Sequence, residues 1–128
     1  MQTALELGRK GWERYLKSGR HKLPKTKLSS SEQKERNRLL NQIQKAADEI
    51  KSRFNVRRIV LFGSLAHEGW FVSDSDVDLA VEGIQGDDYW LAWRIVEETI
   101  KDRSVDFIEI ESSGIALRQA IDRYGLEL

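Results

Sequence analysis

Residues 59–81 read Ile59-Val60-Leu61-Phe62-Gly63-Ser64-Leu65-Ala66-His67-Glu68-Gly69-Trp70-Phe71-Val72-Ser73-Asp74-Ser75-Asp76-Val77-Asp78-Leu79-Ala80-Val81. The stretch opens on four consecutive apolar residues, the mark of a buried strand, which the pattern predicts over Val56 to Phe62. Gly63-Ser64 follows at once, and the spacing predicts a short helix from there to about Gly69. A second strand is predicted over Val77 to Val81. Period-2 alternation sets Val77, Leu79 and Val81 on one face, and Asp76, Asp78 and Ala80 on the other.

Upstream, Ser29 and Glu32 form a Ser-x-x-Glu capping box. The helix it opens runs to about Arg53, with Leu39, Leu40, Ile43, Ala46, Ala47, Ile50 and Phe54 at helical spacing and Asn55 as its end. Residues 2–18 read as an earlier helix, joined to it by a basic connector over 19–30 that contains Pro24. Downstream, Asp87 or Asp88 is placed to cap a helix whose apolar stripe is Tyr89, Trp93, Val96 and Ile100. A third strand is predicted over Ser104 to Ile110. A last helix follows over Ser113 to Tyr124, with Leu117, Ala120, Ile121 and Tyr124 inward and Gly125 as its stop. The order is α-α-β-α-β-α-β-α, which calls for a small sheet covered by helices.

At 128 residues the chain has the length of one domain, too short for a large substrate domain as well. It has no cysteine, so a disulfide framework and a thiolate metal site are excluded. No apolar run approaches the roughly 18 residues of a membrane span, and Met1 to Lys17 lacks a signal-peptide core. A cytoplasmic protein is expected. The net charge of zero hides an asymmetry. Residues 1–58 carry 16 Lys and Arg against 6 Asp and Glu, a balance of +10; residues 59–128 carry 5 against 15, a balance of −10. The second half suits a carboxylate-rich site. The first half either presents a surface to an acidic partner or simply carries solvated charge.

Three features carry chemistry. A glycine after a buried strand lets backbone approach a ligand closely. A helix opening at Ser64 would offer free N–H groups to a phosphate, with the Ser64 hydroxyl as a further donor. The Asp76 and Asp78 carboxylates, about 6–7 Å apart on one strand face, repel unless cations sit between them, and hard oxygen ligands suit Mg²⁺. The alternative is an acid-decorated strand edge. Asp106 enters the apolar run Val105-Asp106-Phe107-Ile108-Glu109-Ile110. It supplies a third carboxylate if its strand lies beside the other two, and is an exposed strand start otherwise. Glu109 has the opposite parity to Asp106, and Glu111 is a further weak candidate.

The run Leu61-Phe62-Gly63-Ser64 followed by Ser75-Asp76-Val77-Asp78-Leu79-Ala80-Val81 resembles the Gly-Ser…Asp-x-Asp signature of the polymerase-β-like nucleotidyltransferases. More narrowly, it is similar to the minimal nucleotidyltransferases that act as antitoxins in HEPN–MNT pairs. The resemblance covers about residues 56–110. It implies an α+β fold: a small mixed sheet of three or more strands flanked by helices, with residues 1–54 as an N-terminal helical extension and 55–128 as the core. It implies that Gly63 and Ser64 contact nucleotide phosphates, and that Asp76, Asp78 and Asp106 hold two Mg²⁺ ions. It implies transfer of AMP from ATP to a tyrosine of a partner HEPN ribonuclease toxin, with residues 2–54 as the docking surface. The alternatives are neutralisation of the toxin by stoichiometric contact alone, and a nucleotidyltransferase acting on a nucleic acid or small molecule.

Two departures stand out. The family's Ala-Arg-Gly run is Ala66-His67-Glu68-Gly69 here, and 11 residues separate Ser64 from Asp76. His67 is either a surface residue or a phosphate contact. The basic segment Lys17, Arg20, Lys22, Lys25 and Lys27 is either a solvated connector or a nucleic-acid contact. Trp90 is either an exposed interface anchor or partly buried; Trp93 is expected in the core.

Overall fold

The computed structural model describes residues 28–128 except Ser73. The helix expected over 2–18, and all but the end of the 19–30 connector, lie outside the described residues.

Helix α1 spans Ser30–Arg53, and the capping box forms as the sequence predicts. The Ser29 Oγ accepts from the Glu32 N–H at 3.2 Å, and Glu32 Oε1 accepts from the Ser29 N–H at 3.1 Å. The helix ends where Phe54 turns extended, its N–H donating to Ile50 O at 2.8 Å. Leu39, Ile43, Ala46, Ala47 and Ile50 are fully buried, so the 3.6-residue stripe is the core face.

Strand β1 is Arg58–Phe62, β2 is Val77–Glu82 and β3 is Val105–Glu109. A fourth strand, β4, covers only Leu126–Glu127. The sheet order is β3-β2-β1-β4. β1 pairs antiparallel with β2 and β4, and β2 pairs parallel with β3, so the sheet is mixed. Helix α2, Asp88–Thr99, is the crossover that a parallel pair requires. Asp87 precedes it, but its side chain makes no capping bond. Helix α3 spans Ile115–Tyr124.

Alternation along the strands divides the interior in two. Ile59, Leu61, Leu79, Val81 and Phe107 pack against α1 and α2. Val60, Phe62, Ala80 and Ile108 pack against Leu117, Ala120 and Ile121 of α3. The stripe of α2 differs from the expected one. Ala92, Ile95, Val96 and Ile100 are buried, while Tyr89 and Trp93 are half-buried at its margin.

Gly125 ends α3 as the sequence predicts, with an extended φ of −74°. A Cβ there would lie 2.3 Å from Val60 Cγ1 and 2.4 Å from Ile121 O. The residue is glycine because the chain passes tightly over β1 before pairing with it as β4.

Candidate active site

The site lies where β1 ends beside the starts of β2 and β3. Phe62 pairs with Asp78 across β1 and β2, and Asp78 pairs with Asp106 across β2 and β3. Both aspartates share the parity of Ala80 and Ile108, so they belong to the sheet face that α3 covers further along. Asp76 stands just before β2 and is exposed.

Gly63 follows Phe62 with φ +80°, a conformation that L side chains rarely adopt. A Cβ on it would sit 2.3 Å from Asp78 Oδ2. Both backbone shape and the approach of this carboxylate therefore require glycine. The helix expected after it does not form. Ser64–Ala66 and Glu68–Trp70 are two separate 3₁₀ turns, so no helix dipole of any length points at a ligand here. The Ser64 hydroxyl is engaged instead, donating to Ser75 Oγ at 2.9 Å.

Burial pushes the Asp78 carboxyl up to about 8, with the charges of Asp106 and Asp76 raising it further. Burial also pushes Asp106 up to about 6, and the charge of Asp76 adds to it. The three groups thus lie close enough to act on one another. Among the described residues no basic side chain pairs with any of them; the ion pairs run elsewhere, as in Arg58–Asp122 and Arg38–Asp102.

No three His, Cys, Asp or Glu side chains among the described residues close into one metal-holding group. Mg²⁺ does not need one, because it keeps several waters and binds through one or two carboxylates plus substrate phosphates. Two half-buried aspartates in register, without a basic partner among the described residues, form a donor set that fits such an ion.

The other candidates fall away from this cluster. Glu109 faces the α2 side, where burial of the Tyr89 hydroxyl, with the charges of Glu109 and then Asp106 adding to it, raises that hydroxyl to about 12. Tyr89 donates to Phe107 O. Glu111 Oε2 accepts from the Gly83 N–H at 2.8 Å. His67 Nε2 lies 2.7 Å from Tyr124 O, so it carries the proton and anchors the end of α3, with Trp70 edge-on to its ring at 4.6 Å. Trp90 is 63% exposed and stacks on Trp93 at 5.8 Å, beside the exposed Leu91.

Ser75 is the residue that the sequence reading passed over. It is 4% exposed, and it touches both halves of the site. Its hydroxyl meets Ser64 and accepts from the Val72 N–H at 3.0 Å, while its carbonyl accepts from Arg103 Nη1 at 2.7 Å. The only signal in the sequence was a serine adjoining Asp-x-Asp.

The polymerase β nucleotidyltransferase family matches residues 41–128, a span that holds the glycine–serine turn and all three aspartates. The chain belongs to that family. In this nucleotidyltransferase the matched span runs from within α1 to the end of the chain. The fold of this nucleotidyltransferase is similar to that of a toxin–antitoxin structure with AMP-PNP. The two are 24% identical with a TM-score of 0.53, over 68% of this chain and 69% of the other. It is also similar to a nucleotidyltransferase candidate from Sulfolobus solfataricus, 17% identical with a TM-score of 0.53, over 80% of this chain and 89% of the other. At these identities the likeness is one of fold. No curated protein matches the chain in sequence. No described helix is long and apolar enough to cross a membrane.

Proposed function

We propose that this nucleotidyltransferase is Mg²⁺-dependent and transfers AMP from ATP to a tyrosine hydroxyl of a HEPN-type ribonuclease toxin, acting as its antitoxin. The observation that carries the chemistry is the register pair Asp78 and Asp106, with Asp76 beside it and Gly63 packed on the Asp78 carboxylate. In the reaction a hydroxyl attacks the α-phosphate and pyrophosphate leaves. Asp76, Asp78 and Asp106 would hold two Mg²⁺ ions, which when bound neutralise the phosphate charge and lower the pKa of the attacking hydroxyl. Gly63 and Ser64 would meet the phosphates, the glycine by leaving its backbone open to close approach. The chain's contribution is positioning and charge, with no covalent intermediate.

The tyrosine acceptor rests on the resemblance to minimal nucleotidyltransferases, and the likeness to a toxin–antitoxin structure with AMP-PNP supports it. Residues 2–54 of the N-terminal extension are the proposed docking surface. Within it α1 turns its apolar side to the sheet and its charged side outward.

The test is incubation of the purified chain with Mg²⁺, α-labelled ATP and its cognate toxin. Label on the toxin that is lost with Asp76→Ala/Asp78→Ala supports the proposal. Neutralisation that survives the double substitution without label would show that contact alone suffices.

A further inference from the structure

Two hydroxyls meet at the heart of the site, and only one of them belongs to the glycine–serine turn. Ser64 Oγ lies 2.9 Å from Ser75 Oγ. Ser75 is held on three sides. Its N–H donates to Val72 O at 3.0 Å, its Oγ accepts from the Val72 N–H, and its carbonyl accepts from Arg103 Nη1. Arg103 in turn donates to Glu35 of α1 at 3.2 Å. The Ser75 side chain is therefore a fixed point, while Ser64 sits half-buried at the start of a three-residue turn.

A serine hydroxyl has one proton and two lone pairs, and the proton rotates to suit its partners. As it stands, the Ser64 proton points at Ser75 and is unavailable to a ligand. The Ser75 oxygen already accepts from Val72, so its own proton is free to turn toward Ser64 Oγ. That reversal gives a chain of donors running from the Val72 N–H to Ser75, from Ser75 to Ser64, and from Ser64 outward. Each link polarises the next, and the outermost proton becomes the stronger donor to an anion.

We propose that Ser75 is a positioning residue for the nucleotide: its fixed hydroxyl donates to Ser64 Oγ and so commits the Ser64 proton to a phosphate oxygen. The inference rests on the reading above that phosphates meet Gly63 and Ser64. A loop-closing role alone, through Val72, is the competing account. The two accounts differ in whether Ser75 acts through Ser64.

The experiment is calorimetric binding of AMP-PNP with Mg²⁺ to the full chain in a double-mutant cycle. Ser64→Ala and Ser75→Ala are each expected to weaken binding about tenfold, the size of a lost hydrogen bond to a charged group. The double variant is expected to bind within about twofold of Ser64→Ala, because nothing remains for Ser75 to orient. Losses that multiply across the double variant would overturn the proposal, as would unchanged binding by Ser75→Ala. Ser75→Cys keeps the shape with a weak donor, and stands in should the alanine variant not fold. It should weaken binding in the Ser64 background and not in the Ser64→Ala background; equal losses in both would overturn the proposal. Wild-type chain that does not bind AMP-PNP would remove the phosphate reading itself, and this inference with it. Wild-type binding with multiplicative losses would remove only the role of Ser75.

Discussion

Gly63 and Asp78 constrain each other more tightly than any other two residues of the site. The glycine needs a positive φ, and its missing Cβ is the space that Asp78 Oδ2 occupies. Gly63→Ala should therefore fail twice, through backbone strain and through displacement of the carboxylate. A stability loss of about 1–3 kcal/mol is expected in a denaturant titration, with transferase activity abolished. Asp78 itself should be a residue whose removal stabilises the metal-free protein. Its folded pKa near 8 lies above the ordinary carboxylate value of about 4, and that of Asp106 lies near 6. Raised pKa values mean that the folded state binds more protons than the unfolded chain. The associated stability is fully present below about pH 4 and is lost as pH rises through about 6 and then about 8. Glu35 is held low, near 2, by its hydrogen bonds to Arg38 and Arg103, so it titrates below this window and offsets none of the loss. Thermal melts in a chelator should show Tm falling from pH 5 to pH 8.5 in the wild type. Asp78→Asn should flatten most of that slope, gain about 1–2 kcal/mol at pH 8 and lose activity. An equal slope in both proteins would refute the assignment.

At the scale of elements, the ends of helices decide how the site is framed. The Ser29–Glu32 capping box satisfies two N–H groups where α1 begins. Ser29→Ala should cost about 1 kcal/mol of stability without altering nucleotide affinity. The far end of α3 is held differently, by His67 from the loop between β1 and β2. This bond gives the imidazole a structural partner through Nε2, which favours the surface reading of His67 over a phosphate contact. His67→Ala should lower stability by about 1 kcal/mol and leave AMP-PNP binding within about twofold of wild type. A tenfold loss of affinity would return it to the list of phosphate contacts. The two 3₁₀ turns that follow Gly63 lead into Phe71, which is fully buried in the core.

Across the whole molecule, a single sheet separates two apolar clusters, and the carboxylates enter from the edge of the smaller one. Phe107 lies in the larger cluster while its neighbour Asp106 faces the other side, so β3 serves core and site at once. Phe107→Ala should cost about 3–5 kcal/mol, measured by chemical denaturation. The two halves of the chain that carry opposite charge are also joined by it. Arg38 reaches Asp102 at 2.7 Å and Arg58 reaches Asp122 at 2.9 Å, so part of the basic excess is spent within the fold. These are surface pairs, and each contributes little by itself.

How much of this was legible beforehand depended on the range of the cause. Local causes were readable. The capping box, the apolar stripe of α1, the alternation of β2 and the glycine after β1 are each written in neighbouring residues, and the Gly-Ser and Asp-x-Asp spacing carried the family. Features set by partners distant in the chain were not. Strand β4 is two residues long, too short for any period, and exists because β1 offers it an edge. Gly125 reads as a helix stop, but the contact with Val60 is what demands it. Ser75 looks like a loop serine until Ser64, Val72 and Arg103 converge on it. The pairing of Asp78 with Asp106 is likewise a matter of register between strands 28 residues apart, which only the packed sheet fixes. Sequence sets which residues are able to carry charge, turn or burial; the tertiary structure alone sets the distances between them, because those depend on how side chains from distant segments fill one interior.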